Sequence, residues 1–190
     1  MTLVFACKEQ KIREDSIEKQ SFVKKVYVLK SSNKVSIVDD TLYFNQAKFT
    51  GFLYELYPNN QDTLSIEEYK EGLLSGDSKK WYDNKRLMEV RYFVKGKKHG
   101  KQIAFWENGK KKFQFMAKND AYEGAMTEWT ADGRLYHIGN YVNGQEEGTQ
   151  KMWYDNGKIR ANYVIKNGKR YGLLGTKNCR NVSDSIFISK

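Results

Sequence analysis

Apolar and polar residues alternate along most of this chain in short runs rich in aromatic and β-branched side chains, and each run ends at turn-forming residues. Alternation with a period of two marks a β-strand whose two faces meet different surroundings. In the clearest stretch, Gly148-Thr-Gln-Lys-Met-Trp-Tyr154 leads into Asp155-Asn156-Gly157. Lys158-Ile-Arg-Ala-Asn-Tyr-Val164 then leads into Lys166-Asn167-Gly168. The pattern recurs. A glycine returns every 24 residues, at Gly76, Gly100, Gly124, Gly148 and Gly172, and an aromatic follows the first four five residues later, at Trp81, Phe105, Trp129 and Trp153.

A turn dipeptide lies eight and nine residues past each glycine, as Asn84-Lys85, Asn108-Gly109, Asp132-Gly133 and Asn156-Gly157. Such pairs supply the positive φ angles of a two-residue type I′ turn, so each unit reads as one hairpin plus a return strand. A second dipeptide closes the unit, as Lys95-Gly96, Asn119-Asp120, Asn143-Gly144 or Asn167-Gly168. It varies more, and is expected to form the looser turn. An earlier, degenerate unit opens at Gly51, with Pro58-Asn59-Asn60, including the one proline of the chain, at its turn.

Repetition at this period predicts a stacked array. The expected fold is all-β: an elongated antiparallel meander of repeated β-hairpins over residues 49–172, with a small N-terminal β cap at 22–48 and a C-terminal cap or tail at 173–190. Residues 1–21 read as a truncated lipoprotein signal and a charged tether. Within the cap, residues 22–29, 35–38 and 41–44 read as short strands. Two strands per unit at about 4.8 Å each would carry the array to roughly 50 Å. Trp81, Phe105, Trp129 and Trp153 should line one face as a packing ladder, with Tyr82, Trp106 and Tyr154 on the other.

The motif Gly-x4-Trp/Phe-aromatic-x-Asn-Gly-Lys, at Gly100–Lys110 and Gly148–Lys158, resembles the MORN repeat-variant family, whose members include the YwqK-type proteins labelled antitoxins. The resemblance covers about residues 49–172. It implies the same hairpin array and a scaffold role, in membrane association or protein binding. It implies no catalytic residues. A fold match alone does not supply a function.

Leu3-Val4-Phe5-Ala6-Cys7 resembles the lipobox of a bacterial lipoprotein, with Cys7 as the lipidated residue. Only six residues precede that cysteine, fewer than a signal peptide needs, so an ordinary cysteine in an apolar N-terminus stands as the alternative. Cys179 lies between Lys177 and Arg180 and reads as an inert thiol of the tail. Pairing with Cys7 is open only if Cys7 is not acylated. Two cysteines and two separated histidines, His99 and His137, give no metal pattern, no nucleophile set and no cofactor motif, so catalysis and cofactors are not expected.

Charge sharpens the picture. Residues 149–190 hold nine basic and two acidic residues, a net of +7, whereas residues 101–148 hold six and seven, a net of −1. Lys158, Arg160, Lys166, Lys169, Arg170, Lys177 and Arg180 are therefore the candidate basic patch, suited to an acidic protein or an anionic membrane surface. The preferred reading is a non-catalytic interaction scaffold anchored through Cys7 in a bacterial envelope, binding a protein partner or the membrane surface. The alternative is a cytoplasmic antitoxin or immunity-like protein that neutralises a toxin by direct binding. Nucleic acid is the least favoured partner, and no small-molecule substrate is expected.

Overall fold

The structure, a computed structural model, describes residues 25–59 and 61–175. All its regular elements are strands. β1 (Tyr27–Leu29), β2 (Val35–Val38), β3 (Thr41–Phe44) and β4 (Ala47–Lys48) precede the repeats. β5 (Gly51–Leu56), β6 (Thr63–Lys70), β7 (Leu73–Trp81) and β8 (Leu87–Val94) start the array. Then follow β9 (Lys97–Lys98), β10 (Gly100–Phe105), β11 (Lys111–Lys118), β12 (Ala121–Trp129) and β13 (Leu135–Val142). β14 (Gln145–Glu146), β15 (Gly148–Trp153), β16 (Ile159–Lys166) and β17 (Lys169–Leu173) complete it.

From β5 to β17 the long strands pair in chain order and antiparallel, as the meander requires, while the two-residue β9 and β14 pair only with β8 and β13. β1, expected in the cap, instead joins this sheet, lying parallel to β5 at its outer edge. Only β2, β3 and β4 form the separate cap sheet. The cap packs on one end of the main sheet through Val28, Leu42, Phe49 and Leu53, with Phe44 and Tyr69 alongside. Backbone bonds from Leu42 N–H to the Gly72 carbonyl (2.8 Å) and from Gly72 N–H to the Phe49 carbonyl (2.7 Å) fix its seat.

The two turns of each unit exchange the roles expected of them. At the second dipeptide both residues have positive φ, as in Asn119 and Asp120 at 51° and 70°, so this is the tight type I′ turn. At the first, only the second residue is left-handed, as in Lys85 at 65° and Gly109 at 85°. There Trp106 N–H meets the Lys110 carbonyl (2.7 Å) and Gly109 N–H meets the Trp106 carbonyl (2.8 Å), closing a three-residue loop. The Asn108 side chain selects this loop by accepting the Lys110 N–H at 3.0 Å, and Asn84 and Asn156 accept in the same way. A β-bulge enters the ladder beside each such loop.

The repeat glycines sit at a second irregularity, in mid-sheet. Gly100, Gly124 and Gly148 hold φ between 66° and 73°, where an L side chain is strained. The chain kinks there without leaving the sheet.

Candidate functional site

The cross-strand register sorts the side chains of the main sheet onto two faces. Every buried residue of the array, among them Ala104, Gln102, Ala117, His137, Gln150, Ala161, Tyr163 and Ile165, lies on one of them. We call this the inner face. The cap closes one end of it, and a cluster of Ala161, Tyr163, Ile165 and Met152 closes the other.

The opposite, open face carries the expected ladder. Trp81, Phe105, Trp129 and Trp153 are all half-buried, spaced one unit apart. Lysines of the intervening positions lie against the rings: Lys111 is 5.6 Å from the Trp129 centroid and Lys151 is 5.3 Å from that of Trp153. Tyr82, Trp106 and Tyr154 do not cross to the other face, because they begin the three-residue loops rather than continue the strands. Lys112 and Arg160, both open-face residues, cover Trp106 at 4.5 Å and Tyr154 at 6.0 Å.

Charge divides by face more sharply than by position in the chain. Strand residues directed to the open face include Lys70, Lys79, Lys97, Lys101, Lys112, Lys118, Lys151, Arg160, Lys166 and Lys169, against Glu68, Asp77 and Glu123. The inner face carries Lys80, Arg91, Lys98 and Arg170 against Glu55, Glu67, Glu89, Glu128 and Glu146. One face is strongly cationic and the other is balanced. The exposed apolar side chains Tyr92, Met116, Val142, Val164 and Tyr171 share the cationic face.

Among the described residues, the cations of the basic patch expected near the C-terminus lie in three separate places. Lys158 and Arg160 stand at the loop end of β16, while Lys166 and Lys169 flank the turn at its far end, roughly 20–25 Å away at 3.3 Å per residue. Arg170 points to the inner face, where it pairs with Glu146 at 2.9 Å and covers the Tyr163 ring at 5.4 Å. Glu146 is therefore engaged, and its charge, after burial, helps raise the Tyr163 phenol above its ordinary pKa. Lys177, Arg180, Cys7 and Cys179 lie outside the described residues.

The inner face also holds polar groups that the sequence did not single out. His137 is 5% exposed, and its Nδ1 lies 3.1 Å from Glu128 Oε2. Gln102 and Gln150, two units apart, are fully buried and donate to bulge carbonyls, Gln102 to Tyr92 at 3.0 Å and Gln150 to Asn140 at 2.7 Å. Arg91 is clamped by Glu89 through Nε and Nη2, at 3.1 and 2.9 Å. Gln102 and Gln150 sit opposite Phe115 and Tyr163, and His137 sits opposite Glu128, pairings that appear only once the register is known. Among the described residues, no three His, Cys, Asp or Glu side chains gather as a metal-binding group, and no helix is long and apolar enough to cross a membrane.

The model of the MORN repeat variant matches residues 98–119 and 146–169, each a hairpin with its three-residue loop. The chain carries MORN repeat variants. No curated protein matches it in sequence. MORN repeats are generally associated with binding or scaffold roles. The unit between the two matched stretches departs from them, with Thr130 in place of the loop aromatic and Asp132-Gly133 in place of Asn-Gly. It is also the unit that supplies Glu128 and His137.

Proposed function

We propose that this protein is a non-catalytic binding scaffold whose open face docks against an anionic surface in the bacterial envelope, to which an acylated Cys7 tethers it. The observation that carries the reading is the segregation of eleven described strand cations, Lys111 among them, against three anions on the face that also exposes Tyr92, Met116, Val164 and Tyr171. Lysines spread over a broad slab, rather than a track one strand wide, suit an extended anionic layer, such as headgroups or the acidic surface of a partner, better than a single nucleic-acid strand. Apolar tips between the lysines would add contact area once the surfaces meet.

The test is sedimentation of the purified chain with vesicles rich in phosphatidylglycerol, alongside a variant carrying Lys101→Glu, Lys118→Glu and Lys151→Glu. The wild type should bind at low salt, release as salt rises, and ignore neutral vesicles, while the variant stays in the supernatant with its melting temperature kept. Equal binding of both proteins would remove the open face from the function. Intact mass from the native host tests the tether: acyl chains on Cys7 support it. An unmodified soluble protein would turn the reading toward a cytoplasmic antitoxin or immunity-like binder.

A further inference from the structure

Midway along the inner face, between its two apolar ends, a cleft opens whose floor is aromatic and whose walls are charged. Phe113 and Phe115 of β11 and Tyr122 of β12 form the floor, with ring centroids 5.8 Å apart for the first pair and 4.5 Å for the second. Tyr122 is the most open of the three, at 37%. Arg91 forms one wall, its guanidinium 4.8 Å over the Phe113 ring and neutralised by Glu89. Glu128 forms another, held by His137.

The remaining wall is Lys98, whose ammonium meets no carboxylate or hydrogen-bond acceptor among the described residues. Its backbone is fixed from both sides by Asp120, whose carboxylate accepts the Lys98 N–H at 2.9 Å and whose N–H donates to the Lys98 carbonyl at 3.1 Å. The one unpaired cation of the cleft is thus mounted on rigid backbone beside exposed aromatic surface.

The repeat itself does not build this arrangement. One unit further along, the positions of Arg91, Lys98, Phe115 and Glu128 are held by Phe115, Tyr122, Gly139 and Met152. Scaffold positions recur along the chain, and these do not. Their chemistry is specific to the centre of the array.

We infer that the cleft binds an aromatic group bearing one carboxylate, with the ring on Phe115 and Tyr122 and the carboxylate on Lys98. The ring gains stacking contact on the exposed Tyr122 and the half-buried Phe115 beside it, and the carboxylate gives Lys98 the partner it lacks. Glu128 opposes a second negative charge, so a monoanion is selected over a dianion. The open volume, about 210 Å³, suits one amino-acid-sized group. Two sources present this chemistry: a free aromatic acid, or the C-terminal phenylalanine or tyrosine of a partner protein. The inference rests on the binding-scaffold reading but uses the other face of the sheet. Its failure would leave the open-face test standing, and the reverse also holds.

The experiment is a titration of the full chain, followed by the Met126 methyl signal, whose side chain also lines the cleft. The probes are N-acetyl-phenylalanine, a five-residue peptide ending in free phenylalanine, and the same peptide amidated. Saturable shifts with the carboxylate forms, weakened about tenfold or more in Lys98→Gln and by amidation, and unchanged in the open-face variant Lys101→Gln, support the site. A peptide that binds at least tenfold tighter than the free amino acid identifies a protein terminus as the source, and equal affinities identify a small acid. Tyr122→Ala, with its fold checked by melting, should weaken both. An absence of saturable shift at millimolar probe, or binding equally strong in Lys98→Gln or to the amide, overturns the inference.

Discussion

The indole Nε1 of Trp106 donates a hydrogen bond to the backbone carbonyl of Trp129, 3.0 Å away, across the boundary between two repeats. Tyr82 does the same to the Phe105 carbonyl at 2.9 Å, and Tyr57 to that of Trp81 at 2.8 Å. An aromatic that begins one loop thus fastens onto the ladder residue of the next unit. At the following step Thr130 replaces the aromatic, and its hydroxyl is used inside its own loop, by Asp132 and Arg134. In a one-dimensional array such links set the coupling between neighbours, which decides whether the array unfolds as one body.

Replacing Trp106 with phenylalanine removes the donor and keeps most of the ring. The expected loss is about 1 kcal/mol, the net worth of one part-buried hydrogen bond. Urea unfolding measures it through a lower midpoint at constant slope. A shallower slope would mean instead that the link maintains cooperativity between units.

Trp129 tests the ladder itself. A fully buried tryptophan cut to alanine costs about 3–5 kcal/mol, but this ring is half-buried in a single layer, with Lys111 set over it. Trp129→Ala should therefore cost about 2 kcal/mol. A loss of the full amount in the same urea measurement would show that the open face is covered in solution, by a second copy or by another part of the chain.

The meander was legible because its period is spelled in glycines and turn dipeptides, and the ladder because alternation carries Trp81, Phe105, Trp129 and Trp153 to one side. Turn class was not. Asn-Gly occurs in both turns of a unit, and what separates Asn108-Gly109 from Asn143-Gly144 is the side chain of Asn108 accepting from Lys110 and the bulge that follows. The position of Tyr82 and Trp106 was lost for the same reason, since strand alternation stops where the loop begins. The division of charge needed the register through two irregularities per unit, and linear charge counting placed it at the C-terminus. The cleft was the least visible feature: Arg91, Lys98, Phe115 and Glu128 belong to four strands, and no local motif joins them.

Two glycines should respond differently to alanine. Gly124 has a φ of 73° and nothing within 4 Å of an added Cβ, so Gly124→Ala should cost about 1 kcal/mol from backbone strain alone. At Gly139 the backbone is ordinary, but an added Cβ would lie 2.6 Å from Gln150 Oε1 and 2.9 Å from the Tyr141 ring. Gly139→Ala should cost about 1–3 kcal/mol by overpacking. Trimming Gln150 to alanine should relieve part of that cost, so a double-mutant cycle over 139 and 150 should show favourable coupling. Strict additivity would mean that the Gln150 side chain does not occupy the space above Gly139.

Asp132 should set part of the acid sensitivity of the central loop. Hydrogen bonds from Thr130 and then Arg134 hold its carboxyl down to about 2, below the ordinary value of 3.8. Folding favours the charged form, so its contribution is fully present above the unfolded pKa of about 4. It is lost as pH falls from there through the folded value. Asp132→Asn should then be less stable than wild type at neutral pH, with the gap closing by about pH 2, and the Asp132 carboxyl carbon should titrate near that value by NMR. A midpoint near 4 would mean that the contacts to Thr130 and Arg134 are not kept in solution, and the central loop would then hold its shape through its backbone bonds alone.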